Sequence, residues 1–130
     1  MRKITETVSQ ALIDGKKKTV SNTASNGNSI SLHGNKIIEK KTVFKIGASG
    51  LKTKTFFNLR GSVSPKGRPT PTTRERLNGY LYLIGASFGF GQKNWEPVLH
   101  GRNDKNEYVV RPVSDNTWYS FEELKEIINS

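Results

Sequence analysis

The sequence has no cysteine, a single methionine, only two histidines and no long apolar run. Without thiols, disulfides and thiolate-held metals are excluded, a composition that suits a reducing compartment. Two histidines are too few ligands for a metal site built on imidazole. No apolar stretch approaches the roughly 20 residues that a membrane-spanning helix requires. The opening residues, Met1 to Glu6, carry neither an apolar core nor a small-residue cleavage site. No secretory signal is therefore expected, and the chain is expected to remain in the cytoplasm where it is made. Common catalytic signatures are missing too: there is no Walker-type glycine loop, nucleophile elbow or paired-histidine motif. Only His33 and His100 are of a residue type suited to acid–base work near neutral pH. Each precedes a glycine in what reads as a turn, where an imidazole usually bonds locally. No catalytic residue, metal or cofactor is expected, and the chain reads as a non-enzyme.

Acidic side chains are scarce as well. Twenty-one Lys and Arg face 11 Asp and Glu, for a net charge of +10. The imbalance is local: residues 1–70 hold 14 basic and 3 acidic side chains (+11), and residues 71–130 hold 7 and 8 (−1). A basic half joined to a neutral half suggests a face for a polyanion, most commonly nucleic acid. The plain alternatives are solubility and a general richness in lysine.

What is present reads as an α+β chain of 130 residues, a small single domain with antiparallel β sections and about three short helices. Ile4, Val8, Ala11 and Leu12 share one helical face and predict a helix near residues 3–14, with Gly15 as its stop. Lys16, Lys17 and Lys18 then suit the negative end of the helix dipole. A basic β-rich part, residues 16–70, follows. Ile30 and Leu32 alternate with polar neighbours, and Ile37-Ile38, Val43-Phe44-Lys45-Ile46 and Thr55–Leu59 read as short strands of a three- or four-stranded meander. Asn26-Gly27-Asn28, His33-Gly34-Asn35 and Gly47-Ala48-Ser49-Gly50 are turn material, the second predicting a tight hairpin. An exposed basic loop is expected over residues 62–70.

In the near-neutral part, residues 71–130, Thr72-Thr73-Arg74-Glu75 matches a capping box and predicts a helix near 73–84, closed by Gly85. Strands are expected over Ser87–Gln92, Pro97–His100 and Tyr108–Val113, with a turn at Asp104-Lys105-Asn106. Ser120-Phe121-Glu122-Glu123 is a second capping box and opens a last helix near 120–128.

Two sets of side chains are candidates for contact. For nucleic acid they are Lys45, Lys52, Lys54, Arg60, Lys66 and Arg68, cations of the basic part interleaved with Phe56 and Leu59. For a partner surface they are Arg74, Arg76, Asn78, Trp95 and Trp118. Arg76 and Asn78, at the start of a capped helix, equally suit holding a neighbouring loop by hydrogen bonds.

Three pieces carry a resemblance: Leu32-His33-Gly34-Asn35-Lys36-Ile37, Thr70-Pro71-Thr72-Thr73-Arg74-Glu75-Arg76-Leu77-Asn78, and Gln92-Lys93-Asn94-Trp95. Together they resemble a group of small, mostly uncharacterised proteins encoded by bacteriophages. Members of that group usually carry Gly-Trp just before the threonines. Here Gly61 is followed by Ser62, and the basic loop intervenes. The resemblance implies a phage origin and a shared fold, and the expected location is the host cytoplasm. The expectation is a non-enzymatic accessory protein that binds nucleic acid or a nucleoprotein complex in the infected cell. The alternatives are a protein-binding inhibitor of a host defence system or host polymerase, and a minor virion component.

Overall fold

The computed structural model of the chain describes residues 1–44, 51–60 and 70–130, except for the side chains of residues 43, 44, 51 and 52. In order the elements are α1 (Lys3–Ile13), β1 (Lys17–Val20), β2 (Thr23–Asn26), β3 (Ser29–Leu32), β4 (Asn35–Phe44), β5 (Leu51–Phe57), α2 (Pro71–Leu83), β6 (Phe88–Lys93), β7 (Glu96–Arg102), β8 (Tyr108–Pro112), β9 (Tyr119–Ser120) and α3 (Phe121–Ile128). Strands β1-β2-β3-β4-β5-β9 form one six-stranded sheet and β6-β7-β8 a second. Every pairing is antiparallel, so the α+β class read from the sequence holds.

Helix α1 buries Thr5, Val8, Ser9 and Leu12 on one stripe. It ends where Gly15, at φ +70°, reverses the chain. The Lys16 amide then bonds the Ala11 carbonyl (2.7 Å) and the Gly15 amide that of Leu12 (3.1 Å), a Schellman closure. Lys17 and Lys18 do not serve the helix end as expected. They lie exposed on β1, the outer strand of the large sheet, where lysines discourage another chain from adding to the edge. A distant lysine serves α1 instead: Lys40 Nζ donates to the Leu12 carbonyl at 2.8 Å.

The predicted hairpin forms between β3 and β4. Leu32 pairs with Asn35, and His33 (φ 51°) and Gly34 (φ 81°) make a two-residue turn with positive φ at both positions. The register then slips between Ile30 and Ser31, leaving Ile37 as the extra residue of a bulge. Consecutive strand residues normally face opposite ways, and the bulge lets both Ile37 and Ile38 be fully buried. The segments expected as two short strands, at Ile37-Ile38 and from Val43, are in fact joined in one ten-residue strand, β4. Lys45, Ile46 and the turn expected at Gly47–Gly50 lie outside the described residues.

The two capping boxes behave differently. Ser120 Oγ accepts the Glu123 amide (3.1 Å) and Glu123 Oε1 accepts the Ser120 amide (3.0 Å), both arms as expected. The box at Thr72 is not formed. Pro71 occupies the first helical position, which its fixed φ favours, so Thr70 becomes the N-cap and makes no side-chain cap bond. Glu75 is thereby moved too deep into the helix to reach back to the cap. His100 also departs from expectation: it sits within β7, between Gly89 and Val110 on the flanking strands, rather than in a turn.

One core joins both sheets. Val8 and Leu12 of α1 meet Ile30, Leu32, Ile38 and Phe57 of the large sheet, and Leu77 and Leu81 of α2 continue the contact to Phe90 and Leu99 of the small one. Leu124 and Ile128 of α3 close it. Each such side chain, fully removed from water, contributes about 1.5–3 kcal/mol.

Candidate nucleic-acid interface

Strands β4 and β5 run together beyond the rest of the sheet. The last residue of β4 paired with β3 is Glu39, opposite Ser29, and β9 reaches β5 only at Phe56 and Phe57. Past that point Lys40, whose amide still bonds the Asn28 carbonyl (2.8 Å), pairs with Thr55, and then Lys41 with Lys54, Thr42 with Thr53, Val43 with Lys52 and Phe44 with Leu51, with no third strand alongside these last four pairs among the described residues. Lys41, Thr42 and Thr53 are all exposed, although residues 41 and 42 point to opposite sides of a strand. Both faces of this two-stranded ribbon therefore meet solvent there.

Alternation sorts the ribbon's chemistry. Lys41 and Lys54 stand directly opposite each other on one face, with Glu39 and Phe56 as the next pair inward. Like charges so placed repel. Neither lysine has a carboxylate partner among the described residues, and Lys41 Nζ lies 5.7 Å from the centroid of the Phe56 ring. Thr42 and Thr53 face each other on the other side, which further inward carries Lys40 and Thr55. The arrangement can offer unpaired cations and hydroxyls to an anion at a water-exposed edge.

The residues singled out from the sequence are scattered. Lys54 lies on the ribbon and Lys52 sits in β5 opposite Val43. Lys45, Lys66 and Arg68, with most of the basic loop expected over 62–70, lie outside the described residues. Arg60 is exposed but 3.8 Å from Asp115, so an acid from the near-neutral half partly offsets its charge. Trp118 is 38 % exposed. Trp95 is 73 % exposed at the β6–β7 turn, with φ +67° beside Asn94 at φ +51°. Lys41 was missed by the sequence reading. Its signal, a lysine two residues before Val43 in an alternating strand, is legible only when β4 is known to be one continuous strand.

Arg76 is interior and ties the fold together. It is 3 % exposed, which removes it from the partner surface expected of it. Its Nε donates to Thr23 Oγ1 of β2 (2.9 Å), and Nη1 to Thr5 Oγ1 of α1 (2.9 Å) and to Glu75 Oε2 (2.6 Å). Glu75 also accepts the Thr5 hydroxyl and the Arg2 amide. Burial alone would raise the Glu75 pKa, but the Thr5, Arg76 and Arg2 hydrogen bonds outweigh it and hold the carboxyl below its usual value. Asn78 has a similar task. Its side-chain amide donates to the Phe90 carbonyl (2.8 Å) and accepts the Phe90 amide (2.7 Å), pinning α2 to the outer strand of the small sheet. Arg74, also on α2, is half-buried.

The histidines are apart in role. Exposed His33 has Nε2 3.4 Å from Asn22 Nδ2, while half-buried His100 has Nδ1 3.3 Å from the Tyr108 hydroxyl. Among the described residues no cluster of His, Cys, Asp or Glu is grouped to hold a metal ion, and no helix is long and apolar enough to cross a membrane. No protein-family model, curated protein or solved structure matches the chain.

Proposed function

We propose that this chain is a non-enzymatic bacteriophage accessory protein that binds nucleic acid, free or in a nucleoprotein complex, in the infected cell. The phage assignment rests on the resemblance carried by the three sequence motifs. The binding assignment rests on one observation above others: exposed Lys41 and half-buried Lys54 stand directly opposed on the β4–β5 ribbon, with no carboxylate partner among the described residues. A phosphate backbone relieves that repulsion, and the +11 charge of residues 1–70 adds long-range attraction. A second reading, a protein-binding inhibitor of a host system, is favoured by Trp95. A bulky aromatic kept exposed at positive φ is held in a costly conformation, and exposed tryptophans are frequent anchors at protein interfaces.

The test compares two charge reversals by fluorescence anisotropy with labelled nucleic acid at low salt. Lys41→Glu with Lys54→Glu is expected to abolish binding, and Lys93→Glu with Lys105→Glu, at sites remote in sequence in the near-neutral half, to weaken it far less. The wild-type affinity is expected to fall with salt by a logarithmic slope of about −0.7 to −0.9 per phosphate contact. Equal loss in both variants means diffuse attraction and removes the ribbon as the site. No binding by the wild type at low salt removes the nucleic-acid reading and leaves the one carried by Trp95.

A further inference from the structure

Resting on that reading, we infer that the nucleic acid is duplex DNA and that the β4–β5 ribbon enters its major groove. Among the described residues, the part with no third strand alongside runs from the Lys41–Lys54 pair to the Phe44–Leu51 pair. At about 3.4 Å per residue, those four pairs give a ribbon about 14 Å long. Its strands are about 4.8 Å apart, and a B-form major groove about 12 Å wide admits a two-stranded ribbon. Because both faces are open at Lys41, Thr42 and Thr53, the ribbon can lie inside a groove instead of against it.

The side chains agree with that placement. Lysine reaches phosphates and the acceptor edge of guanine. The Thr42–Thr53 pair on the other face offers hydroxyls to base edges and methyls to thymine. Binders of single strands rely on open aromatic platforms. The described aromatic of the ribbon, Phe56, is half-buried and has the Lys41 ammonium 5.7 Å from its centroid. Among the described residues the most exposed aromatic side chains, Tyr82, Trp95 and Tyr108, lie on α2, the β6–β7 turn and β8. Duplex RNA is disfavoured for a different reason, since its A-form major groove is too narrow for protein side chains to read.

The experiment measures the full chain against duplex DNA, duplex RNA and single-stranded DNA of matched sequence, at one salt concentration. Duplex DNA is expected to bind about tenfold or more tightly than either alternative, and methyl green, which occupies the major groove, to displace the protein. Thr42→Val with Thr53→Val keeps the charge and shape of the ribbon. It is expected to lower duplex affinity about fivefold with the salt slope unchanged, since no phosphate contact is lost. Equal affinity for all three nucleic acids, displacement only by a minor-groove ligand such as netropsin, or an unaltered affinity in the threonine variant overturns the groove assignment while leaving polyanion binding intact. Absence of binding to all three overturns both.

Discussion

At the scale of single residues the most consequential side chain is Arg76. A guanidinium removed from water is tolerated only when its donors are satisfied and its charge is met. Here one arginine joins α1, α2 and β2, through Thr5, Glu75 and Thr23. The same network makes stability depend on acid. Glu75 has a folded pKa below its unfolded value near 4.5, so the stabilisation it supplies is fully present above that value and is lost as pH falls through the folded pKa. Urea midpoints measured from neutral pH downwards are expected to fall most steeply in that acid window. Glu75→Gln is expected to lower the midpoint at neutral pH, because the buried Arg76 loses its counter-charge, and to flatten the acid limb. An acid limb identical to that of the wild type would show that the carboxyl is not the group responsible.

At the scale of elements, two similar four-residue patterns have opposite outcomes. In Ser120-Phe121-Glu122-Glu123 both capping bonds form. In Thr72-Thr73-Arg74-Glu75 neither does, because Pro71 starts the helix earlier and Glu75 is recruited across the interior by Thr5 and Arg76. Ser120→Ala is therefore expected to cost about 1 kcal/mol in chemical denaturation, and Thr72→Ala much less. Equal losses would refute the assignment of Thr70 as the cap. The β4–β5 ribbon carries a prediction of opposite sign. Lys54→Glu replaces a repelling cross-strand pair with an attracting one, and such pairs are worth about 0.2–1 kcal/mol. The variant is expected to be slightly more stable than the wild type while binding nucleic acid more weakly. Lower stability together with weaker binding would instead mean that Lys54 supports the fold.

At the scale of the molecule, the pattern of apolar residues made three helices and most strands legible, and polar interiors concealed the rest. Strand β2 buries Thr23 and Ser25, and its inward row carries no large apolar side chain. Period-two hydrophobicity could not reveal it. Strand β1, with Lys17 and Lys18, looks from sequence like a basic helix end for the same reason. The candidate interface was half legible: Lys54 was found, but Lys41 required knowing that β4 is continuous. Arg76 and Asn78 stood out as a motif, yet whether they face inward depends on β2 and β6, which come from either side of them in the chain.

The pairing of β9 with β5 also bears on the order in which the protein is made. Phe56 and Phe57 emerge from the ribosome long before Tyr119 and Ser120, their partners, have been synthesised. The large sheet thus lacks β9, and the core lacks Leu124 and Ile128, until residues 119–128 have been made. Strands of the first half can pair as they appear, but this fold is complete only once α3 has emerged, and until then the sheet edge at β5 stays open.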